Sequence, residues 1–232
     1  MEFRVAIIAV IFFISIIVIL LWNRHRNLKL LKTVTLPDRG TWSERRLIIK
    51  LLKQGIPSQT IFHDLYVRRP SGNYSQIDVV VPTKIGIIVF EVKDYSGWLF
   101  GKGYQSHWCQ VLAYGEEKHR FYNPVKQNET HIASLRQNLS QCISANTPIY
   151  SVIVFYGNCV FRDISGIPNN TFVIKPRALS DVMSAIQSQD IEANYLDKRG
   201  VVRLLREAVT NGGNRQIVAQ HSQMVRYIAD RD

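Results

Sequence analysis

The chain has 232 residues, with 29 Lys and Arg against 18 Asp and Glu, which gives a formal net charge of +11. Hydrophobic residues make up 46% and charged residues 20%, a balance that is typical of globular proteins and excludes disordered and collagen-like chains. Three cysteines do not form a closed set of disulfides, which disfavours a small secreted scaffold. The positive excess suits a polyanionic partner.

An uncharged run of 18 residues lies near the N-terminus, from Val5 to Trp22. At about 1.5 Å per residue, a helix of this length nearly spans a hydrocarbon core of roughly 30 Å. A cleaved signal peptide is the alternative, but its apolar region is shorter and ends in small residues. We therefore predict a transmembrane helix and assign residues 1–32 to a membrane anchor with a basic juxtamembrane segment.

The basic residues around this run are distributed unequally. Arg4 precedes it, and the residues that follow within ten positions are Arg24, Arg26, Lys29 and Lys32. The positive-inside rule places the more basic side in the cytoplasm. We predict a single-pass protein of the inner (cytoplasmic) membrane, with its N-terminus outside and its C-terminal domain in the cytoplasm.

Apolar periodicity and turn residues predict the remaining elements in chain order. They are a helix over 41–53, strands over 60–67, 74–81 and 85–93, a meander over 97–100, 108–113 and a segment ending at 122, a helix over 123–142, strands over 149–156 and 171–174, and helices from 180 onward, over 191–210 and over 215–232. This order predicts an α/β fold with a mixed sheet flanked by helices. We assign 33–150 to a main domain, and 151–232 to strands and helices that complete or extend it.

Carboxylates interrupt two otherwise apolar strands. Strand side chains alternate between faces, so Glu91 and Lys93 share one face at the end of their strand. The same alternation places Asp78 on the face opposite Ile77. If the two strands form a hairpin around residues 82–86, Asp78 lies opposite residue 89 or 91, with a same-face partner about 4.5 to 8 Å away.

Two close carboxylates resist double ionisation, and a bound cation removes that cost. Hard oxygen ligands select Mg²⁺ or Mn²⁺ rather than zinc. Glu44 lines up with the apolar stripe of the first soluble helix, so we expect it to join Asp78 and Glu91. The alternative is structural, because a Glu-x-Lys at a strand end is often a solvated pair and a strand Asp often caps a turn.

Histidine and tryptophan give weaker signals. His107, His119 and His131 lack zinc spacing, so we assign them ordinary surface or core roles. Trp98 and Trp108 are assigned to the core of a sheet rather than to a platform for stacking bases.

Four segments, in this order, carry a resemblance to a known family: GTWSE at 40–44, QIDVVV at 76–81, GIIVFEVKDYSGWLFG at 86–101 and NPVKQNETHIASL at 123–135. Together they resemble the NERD domain, the nuclease-related domain, which the assigned region 33–150 would contain. That family is classed with the PD-(D/E)xK nucleases. The resemblance implies a restriction-endonuclease-like core with a metal-dependent site.

The resemblance also implies roles for single residues. Asp78 matches the aspartate of the superfamily, Glu91 and Lys93 match its (D/E)xK, and Glu44 matches the acidic residue of its first helix. Gln127 follows the Asn-Pro turn, as a related superfamily glutamine does. The implied catalytic residues are thus Glu44, Asp78, Glu91, Lys93 and Gln127, with Asp78, Glu91 and Glu44 as metal ligands.

The implied activity is metal-dependent hydrolysis of the phosphodiester bonds of DNA or RNA, with DNA favoured over RNA. Mg²⁺ or Mn²⁺ would activate water and neutralise developing charge, and Lys93 would orient the nucleophile or stabilise phosphoryl oxygens. The alternative is a non-catalytic module that binds nucleic acid or protein, tethered at the cytoplasmic membrane face. An intact set of Asp78, Glu91 and Lys93 favours the enzyme.

Overall fold

The structure is a computed structural model that describes residues 2–112, 115–189 and 192–229. Its helices are Glu2–Leu31 (α1), Trp42–Lys53 (α2), Pro124–Asn138 (α3), Leu179–Gln187 (α4), Lys198–Asn211 (α5) and Arg215–Ala229 (α6). Its strands are Phe62–Arg68 (β1), Tyr74–Thr83 (β2), Gly86–Asp94 (β3), Gly97–Lys102 (β4), His107–Leu112 (β5), Glu117–Tyr122 (β6), Ile149–Tyr156 (β7), Cys159–Ser165 (β8) and Thr171–Ile174 (β9).

The central sheet has the strand order β1-β2-β3-β7-β9. Strands β1, β2 and β3 are antiparallel neighbours, whereas β3, β7 and β9 run parallel. All eight residues of β7 are buried, as expected for a parallel strand that is covered on both faces. The predicted mixed sheet flanked by helices is therefore confirmed.

Helices cover both faces of this sheet. On one face, α2 and α4 pack on residues such as Val79 and Phe90; on the other, α3 and α5 pack on residues such as Val80 and Val89. Helix α2 presents Leu47, Ile48 and Leu51 at helical spacing, and all three are fully buried. The two helical layers leave the C-terminal end of β3 between α2 and α3.

A second sheet, with the order β6-β5-β4-β8, follows the end of β3. Its inner face packs on β7, where the rings of Trp108 and Phe155 stack with centroids 6.0 Å apart. The sequence did not predict β8, an edge strand in which Arg162 and Asp163 interrupt the apolar residues. Trp108 belongs to the core, as predicted, since it is 1% exposed.

Most predicted elements agree with the structure to within a few residues, with two differences in the helices. Helix α3 ends at Asn138 and not at residue 142. The predicted helix over 191–210 begins only at Lys198, because Ala193 and Leu196 bond to the backbone of Lys84 and Cys142 instead. The predicted ends at residues 113, 191 and 232 lie outside the described residues.

Helix α1 is long and apolar enough to cross a membrane, and the candidate span is Val10–Leu31. The uncharged run predicted from the sequence, Val5 to Trp22, begins five residues and ends nine residues before this candidate span. Length and composition alone define this span, and a signal sequence satisfies the same test. At its C-terminal end, Leu31 is 2% exposed and packs into the core that α2 shares with the central sheet.

Candidate active site

Strands β2 and β3 separate at Asp78. Their paired register ends at Val79 opposite Phe90, and the next backbone N–H on that side, of Val92, donates to Asp78 Oδ2 at 2.7 Å. The carboxylate of Asp78 thus takes the place of a strand carbonyl. Its side chain lies in the gap between the two strands, beside the end of β3.

A backbone irregularity in β1 produces this placement. Asp64 has a φ of 55°, a left-handed conformation that is uncommon for a residue other than glycine. Asp64 lies between the residues of β1 that pair with Ile77 and Val79 of β2. At this point the side chains of β2 stop alternating between faces: Ile77 and Val80 pack on one side of the sheet, and Val79 packs on the other. The predicted alternation of Ile77 with Val80 is therefore wrong.

Asp64 is held in this conformation by two side chains. Arg39 Nε donates to Asp64 Oδ2 at 2.7 Å, and Gln76 Nε2 donates to Asp64 Oδ1 at 3.0 Å. Arg39 also donates to the backbone oxygens of Asp64 and Val209. This network fixes the backbone on which Asp78 depends.

Glu91, Lys93 and Gln127 are in direct contact. Lys93 Nζ lies 2.7 Å from Glu91 Oε1 and donates to Gln127 Oε1 at 2.8 Å. Glu91 and Lys93 share the face of β3 that α3 covers, as the alternation predicted. The structure therefore brings together these three predicted site residues.

The second oxygen of Glu91 faces a histidine. His131 Nε2 lies 3.3 Å from Glu91 Oε2, while His131 Nδ1 lies 2.7 Å from Ser75 Oγ. Neither Glu91 Oε2 nor His131 Nε2 has a hydrogen-bond partner among the described residues, although both atoms are buried. Oε2 of Glu91 is thus a buried carboxylate oxygen with His131 as its ion-pair neighbour and without a well-formed hydrogen bond among the described residues.

Glu44 reaches the site from the opposite face of the sheet. Its Oε1 accepts from Thr41 in the capping box that begins α2, and its Oε2 accepts from His63 Nε2 at 2.9 Å. Gly40 has a φ of 69°, and a Cβ there would lie 2.5 Å from both Glu44 Oε2 and His63 Nε2. Both oxygens of Glu44 are therefore occupied, and it does not contact Glu91 or Lys93 directly.

The three carboxylates differ in their tendency to ionise. Burial raises the pKa of Asp78, and the charges of Glu91 and Glu44 raise it further, so that it lies well above the usual range. Burial alone would also raise the pKa of Glu91, but Lys93 and His131 outweigh that effect and lower it to about 2. The mutual influence of these groups means that Asp78 interacts with carboxylates on both sides of the sheet.

The pKa values of Glu44 and Lys93 also respond to their partners. Burial alone would raise the pKa of Glu44, but the hydrogen bonds from His63 and Thr41 outweigh it and lower that pKa. Burial alone would lower the pKa of Lys93, but the adjacent Glu91 carboxylate outweighs it and raises that pKa. At neutral pH the site thus carries an ammonium, two firmly ionised carboxylates and Asp78, which is reluctant to ionise.

The residues present fit a hard divalent cation that keeps most of its water. No group of three or more His, Cys, Asp or Glu side chains is arranged as a metal centre within the described residues. Mg²⁺ is commonly bound by only one or two carboxylates and several waters. Asp78 and Glu91, whose Oε2 accepts no well-formed hydrogen bond, supply such a pair, and a cation would relieve the repulsion between them.

His131 is the residue at this site that the sequence interpretation missed. It was assigned an ordinary role because its spacing matched no zinc motif. A usable signal exists, because His131 follows Gln127 by four residues and both lie on one face of α3. The structure places both side chains beside the Glu91–Lys93 pair.

The protein is of the α/β class, with a mixed sheet flanked by helices, and its site combines Asp78 from the middle of β2 with Glu91 and Lys93 near the end of β3. The family model of the nuclease-related domain, NERD, matches residues 39–156, and the chain belongs to this family. The match begins just before the GTWSE segment and ends with β7, so that it continues past the predicted boundary at residue 150. Membership indicates a nuclease-related function and an interaction with nucleic acid in general.

One curated relative is an uncharacterized protein of Bacillus anthracis, 28% identical over 127 residues. The match covers 55% of this chain and 57% of the relative, so the chain spans little more than half the length of that protein. No solved structure matches the chain.

Proposed function

We propose that this protein is a divalent-cation-dependent nuclease that hydrolyses phosphodiester bonds, with DNA as the first expected substrate and RNA as the second. The observation that supports the proposal is the cluster of Asp78, Glu91 and Lys93 where β2 and β3 separate. Charges of both signs are concentrated there in a buried position. Such a site stabilises charge that develops on a phosphate far better than the same groups in water.

In this proposal Asp78 and Glu91 hold Mg²⁺ or Mn²⁺, and Glu44 contributes negative charge from the opposite face of the sheet. The cation, when bound, supplies Lewis-acid activation of water and neutralises charge on the phosphate. In the free protein the negative charges of Glu91 and Glu44 oppose ionisation of Asp78. The same negative charges attract a cation to the site.

Lys93 is the residue that meets the phosphate. Glu91 and Gln127 restrain its ammonium from two directions, so that its charge is fixed before substrate binds. A restrained cation needs no reorganisation when negative charge develops on the phosphoryl oxygens. Gln127 is thus a positioning residue, and His131 performs the same task for Glu91.

The membrane location belongs to the same proposal. Helix α1 anchors the chain in the cytoplasmic membrane, with the basic residues that follow the apolar run on the cytoplasmic side. The nuclease domain then lies in the cytoplasm at the membrane surface.

The direct test is cleavage by the full-length protein in detergent. Plasmid, linear duplex, single-stranded DNA and RNA are incubated with Mg²⁺, Mn²⁺ or EDTA. We expect cutting only with metal, and a loss of at least about 100-fold in Asp78→Asn and Lys93→Met. The matched controls are Asp181→Asn, which changes an exposed group, and Lys126→Met, which changes a partly exposed one; both should cut like the wild type.

One observation favours a second function, a non-catalytic module that binds nucleic acid or protein. The described residues contain no ready group of three metal ligands, and both oxygens of Glu44 are engaged. If every substrate stays intact with either metal while the folded protein still retains nucleic acid, this second function replaces the first.

A further inference from the structure

The outer face of the second sheet is a surface that the proposed chemistry does not use. Its side chains follow from the strand register, in which the outward residues of β4, β5, β6 and β8 form three rows. The rows are Val160–Trp98–Val111–Lys118, then Asp163–Phe100–Cys109–Arg120, then Ser165–Lys102 with the His107–Tyr122 pair. We call this surface the outer platform.

The outer platform carries aromatic rings and cations side by side: Trp98, Phe100 and Lys102 come from β4, and Lys118, Arg120 and Tyr122 from β6. Trp98 and Phe100 are partly exposed, and Tyr122 is 47% exposed. Arg162 is the extra residue of the β8 bulge, and its guanidinium lies 4.7 Å from the centre of the Trp98 ring. The sequence interpretation assigned both Trp98 and Trp108 to the core, and this holds for Trp108 alone.

The charge of the outer platform is mostly positive and uncompensated. Its Lys and Arg side chains are Lys102, Lys118, Arg120 and Arg162, against one carboxylate, Asp163. None of these four cations forms an ion pair with a carboxylate in the part of the chain that the structure describes. Such a surface attracts a polyanion and has no internal partner for its charge.

The outer platform adjoins the candidate active site. Tyr122 at the end of β6 is followed by Asn123, whose side chain caps α3 and donates to the backbone oxygens of Lys102, Gly103 and Gln105. Gln127, which contacts Lys93, lies one turn further along α3. The edge of the platform is therefore tied directly to the helix that positions the catalytic lysine.

We infer that the outer platform binds single-stranded nucleic acid and guides it to the Asp78–Glu91–Lys93 site. Stacking rings interleaved with cations are the features that bind unpaired bases and their phosphates without sequence preference. The strand geometry gives the surface about 13 Å along and about 14 Å across the strands, enough for two or three nucleotides. In a duplex the bases are paired and stacked on one another, so their faces are not available to these rings.

This inference rests on the proposed function for the choice of a nucleic acid as ligand. It adds a substrate class, single strands or locally opened duplex, that the catalytic residues alone do not specify. Binding is measured in EDTA, so that the result does not depend on whether the protein cuts.

The test uses the full-length protein in detergent and fluorescent oligonucleotides, one single-stranded and one duplex of equal length. Two platform variants change exposed residues and so keep the fold: Lys118→Ala/Arg120→Ala removes charge, and Tyr122→Ala removes a ring. The matched control is Lys198→Ala/Arg199→Ala, which removes the same charge near Cys142, at the opposite end of α3 from Gln127.

We expect each platform variant to lose about tenfold in affinity for the single strand, with Tyr122→Phe keeping wild-type affinity because its ring still stacks. The charge variant should also reduce the slope of log affinity against log salt by about 1.4, since each phosphate contact to a single strand contributes about 0.7. The α5 control should change neither quantity.

The inference is overturned if platform and control variants bind the single strand equally, or if the wild type prefers the duplex. The proposed nuclease fails independently, if nothing is cut with Mg²⁺ or Mn²⁺ while the platform still binds single strands. If the protein cuts nucleic acid but the platform variants bind as tightly as the wild type, the proposed nuclease activity stands and the proposed role of the outer platform is rejected.

Discussion

The ammonium of Lys93 lies 2.7 Å from Oε1 of Glu91, two residues earlier on the same strand. The side chain of Glu91 is 2% exposed and that of Lys93 is 20% exposed, so the pair is removed from most of the solvent. A buried ion pair depends on both partners, because removing one leaves the other without compensation. The pair therefore links the stability of β3 to the chemistry proposed for it.

Lys93→Met should destabilise the metal-free protein by about 3 kcal/mol, because it leaves the Glu91 carboxylate buried without its cation. Mg²⁺ should restore part of this loss, since the metal can replace the missing positive charge. Urea unfolding in EDTA and in Mg²⁺ measures both effects. Lys126→Met is the matched control: Lys126 pairs with Glu129 at 3.1 Å near the surface, and its removal should cost less than about 1 kcal/mol. Equal losses in the two variants would contradict the role of the buried pair.

Asp78→Asn should make the metal-free protein more stable, by on the order of 1 kcal/mol, while abolishing metal-dependent cutting. The substitution removes a buried charge that Glu91 and Glu44 repel, and its amide oxygen can still accept from the Val92 N–H. Sites built for function often trade stability in this way. A lower thermal midpoint for Asp78→Asn in EDTA would show that repulsion does not dominate at this position.

The stability gained by Asp78→Asn should depend on pH in a defined direction. The pKa of Asp78 is raised on folding, so ionisation of this group destabilises the folded state as pH rises above the unfolded value of about 3.8. The advantage of Asp78→Asn should therefore be absent at the lowest pH where the protein remains folded and should grow towards neutrality. Thermal midpoints of both proteins across this range measure the difference, and a constant difference would contradict the assignment.

The sequence predicted the site to the extent that regular strand geometry determines it. The joint face of Glu91 and Lys93 follows from alternation, and the register of β2 and β3 brings Asp78 to the end of β3. Alternation failed at Ile77, because Asp64 adopts a left-handed backbone that depends on the distant residue Arg39. A contact of this kind carries no local signal in either strand.

The capping of α2 and the edge strand β8 show two further limits of prediction from apolar periodicity. Thr41 and Glu44 form a capping box, whose spacing is readable in the sequence and would have indicated that Glu44 has a structural partner. Strand β8 pairs with β4 alone, and Arg162 and Asp163, at its bulge, break the period-two alternation of apolar residues that would have indicated a strand. Only its pairing with Trp98 and Phe100 reveals the outer platform.

The packing of α6 should weaken in mild acid because of His221. Its Nδ1 donates to the backbone oxygen of Tyr74 at 3.1 Å, and its ring meets the ring of Tyr66 edge to face. Burial lowers the pKa of His221, Arg69 lowers it further, and the Tyr74 carbonyl and Asp64 oppose this.

A histidine whose pKa is lowered on folding binds its proton more readily in the unfolded chain, so stability falls as pH drops below the unfolded value of about 6.5. His221→Gln should lack this part of the pH dependence while it keeps a side-chain donor. Thermal midpoints of the two proteins between pH 8 and pH 5 provide the measurement. A difference between them that does not change with pH would exclude His221 as the titrating group.

The full-length chain should remain in the membrane fraction after washing with high salt and alkaline carbonate, because the proposed anchor would be held by apolar burial rather than by charge. Deleting residues 5–22 should release the protein into the soluble fraction. The deletion retains Leu31, which is 2% exposed and packs into the domain core, so that loss of the anchor is separated from damage to the fold. The intact mass of the membrane-bound protein distinguishes an anchor from a cleaved signal sequence. Protection of a C-terminal tag from external protease in intact cells would agree with the proposed orientation, whereas digestion of that tag would reverse it.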